Sequence, residues 1–210
     1  MRRPLFEQQF VVTGTDTGLG KTVFAAALTA AVNGIYWKPV QAGLNGETDT
    51  QIVARLSGRP VLPESYRFKL AASPHRAAAA EGVTIDPAHL SLPEIAVPLI
   101  VEGAGGLLVP LTGDTLFIDV FARWNVPLIL CARTALGTIN HTLLSLEAIR
   151  ARNIPLLGIA FIGEANDESE RIIGKFGKAK RLGRLDPVVP LGTENLARAF
   201  AAGFALEDFA

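Results

Sequence analysis

The stretch Val11-Val12-Thr13-Gly14-Thr15-Asp16-Thr17-Gly18-Leu19-Gly20-Lys21-Thr22 decides the fold of this 210-residue chain. An apolar run leads into a turn rich in glycine and threonine, and Gly-Lys-Thr then opens an alanine-rich segment. This order predicts a strand, a phosphate-binding loop and a helix, whose backbone N–H groups and N-terminus surround a phosphate. In such a loop Lys21 reaches the β- and γ-phosphates, and the Thr22 hydroxyl is a ligand of Mg²⁺. The stretch therefore predicts a site for a magnesium–nucleotide complex.

The first glycine of this loop is out of place. The usual pattern is G-x-x-x-x-G-K-[ST], which requires glycine at position 15, where this chain has Thr15. Its glycine lies one residue earlier, at Gly14. A glycine turn that merely joins a strand to a helix is the alternative interpretation. The order of strand, loop and helix favours the nucleotide site.

Composition predicts one α/β domain spanning residues 1–210. Hydrophobic residues make up 49% of the chain and the formal net charge is zero, which argues against disorder and gives no basic surface for nucleic acid. Residues 1–7 carry basic side chains with no apolar segment behind them, and no apolar run reaches the roughly 20 residues that span a bilayer. We therefore expect a cytoplasmic protein that binds neither membrane nor nucleic acid. The one cysteine, Cys131, lies in an apolar run and is expected to be buried.

Apolar, strand-like runs alternate with helical segments along the chain. Continuous apolar runs are typical of parallel strands that are covered on both faces. The alternation predicts a mostly parallel sheet with helices on both faces, as in the P-loop NTPases. The main strands are expected at 9–13, 35–40, 97–102, 126–132, 156–162 and 182–185, and the main helices at 21–32, 114–124, 138–149, 166–176 and 193–202.

Two polar residues after the first helix have two interpretations each. Lys38 falls at the end of the second predicted strand, where ligands bind in open α/β sheets, but a surface charge at a strand end fits the pattern equally well. Asp49 begins a short helix. There it is either an acid that complements the helix dipole or a ligand of Mg²⁺. The sequence alone does not choose.

A second acidic residue follows a strand in the middle of the chain. In Val101-Glu102-Gly103-Ala104-Gly105-Gly106 an apolar run meets an acid and a glycine-rich turn. This is the position of the strand-borne carboxylate that holds Mg²⁺ in phosphate-loop proteins. A strand that ends in a flexible loop is the alternative.

Further on, small residues lead into a helix at Gly137. The N-terminus of this helix is either an anion site or an ordinary helix start.

Three classes of nucleotide-binding protein fit these features. A GTP-binding switch is disfavoured because the sequence has no Asn-Lys-x-Asp motif for guanine. A partition-type switch ATPase of the ParA/MinD kind normally has a second lysine four residues before the last loop glycine, where this chain has Asp16. The third class is a synthetase that activates its substrate with phosphate.

Four motifs together resemble the dethiobiotin synthetases. They occur in order between residues 14 and 141: Gly14-Thr15-Asp16-Thr17 with Gly20-Lys21-Thr22, Lys38-Pro39-Val40, Val101-Glu102-Gly103-Ala104-Gly105-Gly106, and Leu136-Gly137 with Ile139-Asn140-His141. The resemblance implies a ligase of biotin biosynthesis that closes the ureido ring of dethiobiotin from 7,8-diaminononanoate, CO₂ or bicarbonate, and ATP, with Mg²⁺. A substrate amine traps CO₂ as a carbamate, the carbamate takes the γ-phosphate, and the second amine closes the ring. It also implies a homodimer with the substrate site at the interface.

The resemblance assigns a role to each candidate site residue. Lys38, Lys21 and Thr17 would be catalytic, and Thr22, Asp49 and Glu102 would hold the metal. The nucleotide would contact Gly18, Leu19, Gly20, Lys21, Thr22, Val23, Asp49, Glu102, Gly103, Ala104, Gly105, Asp186, Pro187 and Val188. The substrate would contact Thr17, Lys38, Ala42, Gly137, Thr138, Ile139 and Asn140.

Three departures from the family pattern affect these expectations. Ala42 stands where the family usually has a small hydroxyl residue, so we do not expect the substrate hydrogen bond that this hydroxyl makes in the family. Phe161-Ile162-Gly163 replaces the Asn-Asp with which many members read adenine, and the region of Asp186 also diverges. We therefore expect weak discrimination between nucleotide bases.

Overall fold

The computed structural model describes residues 8–209, and these residues form two parallel sheets. The prediction about residues 1–7 lies outside this range. Six strands form the large sheet: β1 Gln9–Gly14, β2 Ile35–Trp37, β5 Leu99–Gly106, β6 Leu128–Arg133, β7 Leu156–Ile162 and β8 Arg181–Leu185. Their order is β2-β5-β1-β6-β7-β8, and every neighbouring pair is parallel. The small sheet pairs β3 Val40–Ala42 with β4 Tyr66–Phe68.

Helices cover both faces of the large sheet. They are α1 Lys21–Ala31, α2 Asp49–Ser57, α3 Pro74–Ala80, α4 Phe117–Trp124, α5 Thr138–Arg150, α6 Asp167–Gly177 and α7 Thr193–Gly203. One apolar cluster joins the sheet to α1, α2 and α7 through Phe24, Leu56 and Phe200. The other joins it to α3, α4, α5 and α6, with Phe117 and Ile173 among its buried residues. The predicted fold class is therefore confirmed. None of the helices within residues 8–209 has the length and apolar character to cross a membrane.

Some element boundaries differ from the prediction. The expected second strand, 35–40, ends at Trp37, because Val40 starts the small sheet instead. The glycine-rich segment after Glu102 is part of β5 as far as Gly106, which pairs with Gly14. The helix expected from Asp114 begins at Phe117.

Local hydrogen bonds explain the late start of α4. The Asp114 carboxylate accepts hydrogen bonds from the hydroxyls of Thr112 and Thr115, which fold the segment into a turn before α4. The helix expected at 193–202 begins at Thr193, whose hydroxyl donates to the Arg55 carbonyl.

The connections around β1 create a crevice. The chain leaves β1 through α1 to one side of the sheet, and from β5 it returns through α4 to β6 on the other side. In open α/β sheets ligands bind at such a reversal, outside the carboxyl ends of the strands. Because all six strands are parallel, the last residues of β1, β5 and β6 lie at this same edge; they are Gly14, Gly106 and Arg133. The phosphate-binding loop lies there. Cys131, in contrast, is buried within β6, where burial raises the pKa of its thiol.

Candidate active site

The loop of residues 15–20 joins β1 to α1, and the side chain of Lys21 folds back over this loop. Gly20 has a φ of 102°, and a Cβ at this position would lie 2.9 Å from Cγ2 of Ile162, so the site requires glycine. Lys21 is buried and its ammonium donates to the Asp16 carbonyl at 2.7 Å. Burial lowers the pKa of Lys21, an effect that the negative charge of Glu102 opposes. The lysine is therefore held beside the loop that it is predicted to serve.

The displaced first glycine has a steric cause. A Cβ on Gly14 would lie 2.8 Å from Cδ2 of Leu19 and 3.0 Å from Cδ of Lys21. The stem of the lysine therefore passes directly over Gly14. At the next position the Thr15 hydroxyl is buried without a hydrogen-bond partner in residues 8–209. The close approach of Lys21 explains why this loop needs its glycine at position 14.

A buried polar cluster lies next to the loop and centres on Glu102. Oε1 of Glu102 accepts hydrogen bonds from Oγ1 of Thr22 at 2.9 Å and from Nζ of Lys38 at 3.2 Å. Nζ of Lys38 also lies 2.5 Å from Oδ2 of Asp49. The other oxygen of Glu102, Oε2, accepts from the Tyr36 hydroxyl at 2.8 Å. The structure thus brings together four predicted residues and one, Tyr36, that sequence reasoning missed.

Charge stabilises the protonated form of Lys38. Burial by itself would lower the pKa of this lysine, but Glu102 and Asp49 outweigh that effect and the pKa is raised. The Lys38 ammonium thus faces two carboxylates, and the buried Lys21 ammonium also interacts with Glu102 and Asp49. Burial, followed by the charge of Glu102, raises the pKa of Tyr36 well above its ordinary value. The tyrosine hydroxyl therefore stays protonated and donates to Glu102.

The donor set of this cluster suits a hard divalent cation. Carboxylate and hydroxyl oxygens are the ligands that Mg²⁺ takes, and the ion keeps waters and phosphate oxygens for its other positions. Within residues 8–209 no three His, Cys, Asp or Glu side chains form a metal site on their own. An ion here would therefore need the Thr22 hydroxyl and nucleotide oxygens as well. By the chemistry of their oxygen donors, Thr22, Asp49 and Glu102 therefore fit Mg²⁺.

A cavity of about 420 Å³ opens beside Lys38. Six of its lining residues were predicted as site residues: Thr17, Lys38, Ala42, Asp49, Ala104 and Gly105. Residues 71–74, which lead into α3, also line the cavity and were not predicted as part of the site. The sequence marks only a proline at a helix start there, and that pattern carries no information about which site the helix faces. Gln41 and Val109 complete the lining.

The start of α5 is not part of this cavity. Thr138 is buried and its hydroxyl donates to the Arg133 carbonyl, whereas Ile139 is half-buried and Asn140 is exposed. Gly137 precedes the helix with a φ of 93°. The four predicted substrate residues 137–140 lie instead next to a groove of about 440 Å³ between the loop and α5, which shares Thr17 with the first cavity. One chain alone therefore does not bring them to Lys38.

The remaining predicted nucleotide contacts lie at the same edge of the sheet or in the core beneath it. Asp186, Pro187 and Val188 follow β8, whose last residue, Leu185, pairs with Ile162 next to the loop. The Asp186 carboxylate accepts from Nε of Arg184 at 2.7 Å. The side chains of Leu19 and Val23 pack into the core on the α1 face, and Gly103 packs against the Phe121 ring on the other face. Their roles stay predictions.

Comparison with known proteins agrees with this geometry. The family model described as an AAA domain matches residues 8–195. A ParA family ATPase from Chlorobium tepidum has the same fold, with a TM-score of 0.56 at 11% identity over 95% of this chain and 93% of that chain. The fold and the loop together define this chain as a phosphate-loop nucleotide-binding protein.

Curated relatives identify the family within this class to which the chain belongs. The ATP-dependent dethiobiotin synthetase BioD of Nitrobacter hamburgensis is 63% identical over 204 residues, which cover 96% of each chain. The enzyme of the same name from Brucella melitensis is 57% identical over 205 residues, 96% of this chain and 97% of that one. This chain belongs to the dethiobiotin synthetase family.

The Gly14–Lys21 contact predicts the effect of one methyl group. Gly14→Ala should displace the Lys21 stem and weaken nucleotide binding about tenfold or more, a loss of about 1.4 kcal/mol. Isothermal titration calorimetry with ADP measures the effect. Gly113→Ala is the matched control, because a Cβ there meets nothing within 4 Å. Equal ADP affinity in both variants would contradict the steric explanation.

Proposed function

We propose that this chain is an ATP-dependent dethiobiotin synthetase that converts 7,8-diaminononanoate, CO₂ and ATP into dethiobiotin, ADP and phosphate. Family membership at 63% identity supports the activity. The observation that connects it to these residues is the position of Lys38. Its ammonium lies in the buried cluster with Glu102 and Asp49 and also lines the cavity beside the phosphate loop. A cation in that place faces both the nucleotide end of the site and the space for a second substrate.

The reaction is a phosphoryl transfer followed by ring closure. An oxygen of the substrate carbamate forms a bond to the γ-phosphorus while the bond to the β–γ bridging oxygen breaks, and ADP leaves with that electron pair. The second amine then attacks the carbamoyl carbon and loses a proton, while phosphate leaves with the electrons of the C–O bond. Such a transfer depends on positioning and on electrostatic stabilisation, without a covalent nucleophile from the protein.

Different residues of this chain have different roles in this reaction. Lys21, held over the loop, stabilises the charge on the β- and γ-phosphates. Lys38 binds the anionic carbamate and holds it toward the γ-phosphate, and Thr17, which lines the same cavity, contacts the substrate. Thr22, Asp49 and Glu102 would hold Mg²⁺, which supplies positive charge to the phosphate oxygens when it is bound.

The switch-ATPase alternative has less support. In this chain the place of the second loop lysine is taken by Asp16, whose carboxylate forms an ion pair with Arg133 at the end of β6. The Asp16 carboxylate, which takes the place of that lysine, is thus paired with an arginine of the same chain. The ParA family likeness, at 11% identity, concerns the fold alone. We favour the synthetase.

We further propose that the enzyme is a cytoplasmic homodimer of single-domain protomers. Two large apolar side chains that line the groove between the loop and α5, Leu108 and Leu144, are exposed, and so is Leu136, two residues before α5. Exposed apolar patches of this kind mark interaction sites. Pairing through this surface supports a role for the start of α5, residues 137–140, at the substrate site of the other protomer. There its N–H groups would bind the carboxylate of the diamine.

The proposed activity predicts that ATP cleavage requires the diamine. Phosphate release should be slow with ATP and Mg²⁺ alone and should rise when 7,8-diaminononanoate and bicarbonate are both added, with dethiobiotin formed in equal amount. A coupled phosphate assay and mass spectrometry measure the two products. Omission of bicarbonate is the control. Full-rate phosphate release without the diamine would contradict the synthetase and favour the switch ATPase.

The role of Lys38 predicts a separation of binding from turnover. Lys38→Ala should lower kcat/KM by at least about 100-fold, the usual effect of removing one electrostatic stabiliser. ADP affinity should stay within severalfold of the wild type, since the lysine is not predicted to contact the nucleotide. Lys69→Ala, at an exposed position, is the control. If ADP affinity falls as far as turnover does, Lys38 does not have this role.

A further inference from the structure

Tyr36 is a fully buried residue whose only polar side-chain atom is turned toward the proposed metal ligand. Its exposed fraction is 0%, and its hydroxyl donates to Oε2 of Glu102 at 2.8 Å. It lies on β2, and its neighbour across the strand pair is Ile100 on β5. Glu102 is two residues further along β5 and so projects from the same face as Ile100. Tyr36 and Glu102 are therefore diagonal neighbours on the α1 face, within reach of a long side chain.

The two oxygens of Glu102 have separate partners. Oε1 faces Thr22 and Lys38, which are the groups of the proposed magnesium and substrate sites. Oε2 faces away from them and is held by Tyr36 alone among the hydrogen-bond donors of residues 8–209. A carboxylate with one oxygen fixed has its second oxygen fixed in direction as well, because the group is planar.

We infer that Tyr36 is a positioning residue, which holds Glu102 so that only Oε1 is presented to the divalent cation. This inference rests on the magnesium role proposed for Glu102 above. Groups that hydrogen-bond a metal-ligating carboxylate orient it, and their removal commonly lowers metal affinity. Without the hydroxyl, Oε2 would be a buried acceptor with no partner, and the carboxylate would lose its fixed direction.

Tyr36→Phe tests the inference, because it removes one oxygen and keeps the ring that packs in the core. The probe is Mn²⁺ in the presence of ADP, with free Mn²⁺ measured by electron paramagnetic resonance. The affinity for Mn²⁺ should fall roughly tenfold or more, whereas the affinity for ADP without metal should stay at the wild-type value. The Mg²⁺ concentration for half-maximal turnover should rise by a similar factor.

The chain offers a matched control. Its one other tyrosine, Tyr66, lies in β4 and its hydroxyl accepts from the Asp86 backbone N–H, outside the Glu102 cluster. Tyr66→Phe should leave the Mn²⁺ affinity unchanged. Wild-type Mn²⁺ affinity in Tyr36→Phe would overturn the positioning role, and so would an equal fall in metal-free ADP affinity, which indicates a general defect of the fold.

A second measurement leaves Tyr36 in place. In the Tyr66→Phe protein Tyr36 is the sole tyrosine, and ultraviolet resonance Raman spectroscopy reports the hydrogen bond of its hydroxyl. The hydroxyl should donate to a carboxylate both before and after Mn²⁺ and ADP are added. Loss of that hydrogen bond on metal binding would contradict the inference. Neither binding readout needs dethiobiotin to form, so failure of the proposed reaction is detected separately, by the wild-type product assay.

Discussion

A carboxylate buried within a protein must have hydrogen-bond or ionic partners on its oxygens, because an unpaired buried charge is strongly destabilising. Glu102, buried on β5 next to the edge strand β2, meets this requirement with groups from α1, from β2 and from the segment that follows β2. Thr22 comes from the start of α1, Tyr36 from β2, and Lys38 from the residues just after β2. These contacts tie the phosphate loop to the edge of the sheet where the second substrate is proposed to bind.

The same requirement determines where Lys38 lies. A buried ammonium needs negative neighbours, and Asp49 joins Glu102 in supplying them. The lysine is therefore held in one place between the loop and the cavity, in its charged form. Removing one partner from such a buried group typically costs about 3–5 kcal/mol, so the residues proposed for catalysis also stabilise the fold. Function and stability share one set of contacts in this site.

Much of this arrangement could be predicted from the sequence, since it depends on local patterns. The loop before Lys21 and the apolar strands identified the fold class, and the residues flanking Glu102 identified a carboxylate on a strand. Strand register and side-chain packing were not predictable. The Tyr36–Glu102 contact requires knowing that β2 pairs with β5, and the reason for Gly14 requires the path of the Lys21 stem. The start of α5 remains away from Lys38 in one chain, which no local pattern indicates.

The dependence of turnover on Mg²⁺ in Glu102→Gln tests the central claim most directly, because this substitution keeps the size of the side chain and removes its charge. The account predicts that turnover falls by at least about 100-fold at ordinary Mg²⁺ concentrations, as expected when a main electrostatic group of a site is lost. Glu194→Gln, at an exposed position on α7, should behave as the wild type. Wild-type turnover and an unchanged Mg²⁺ requirement in Glu102→Gln would contradict the account.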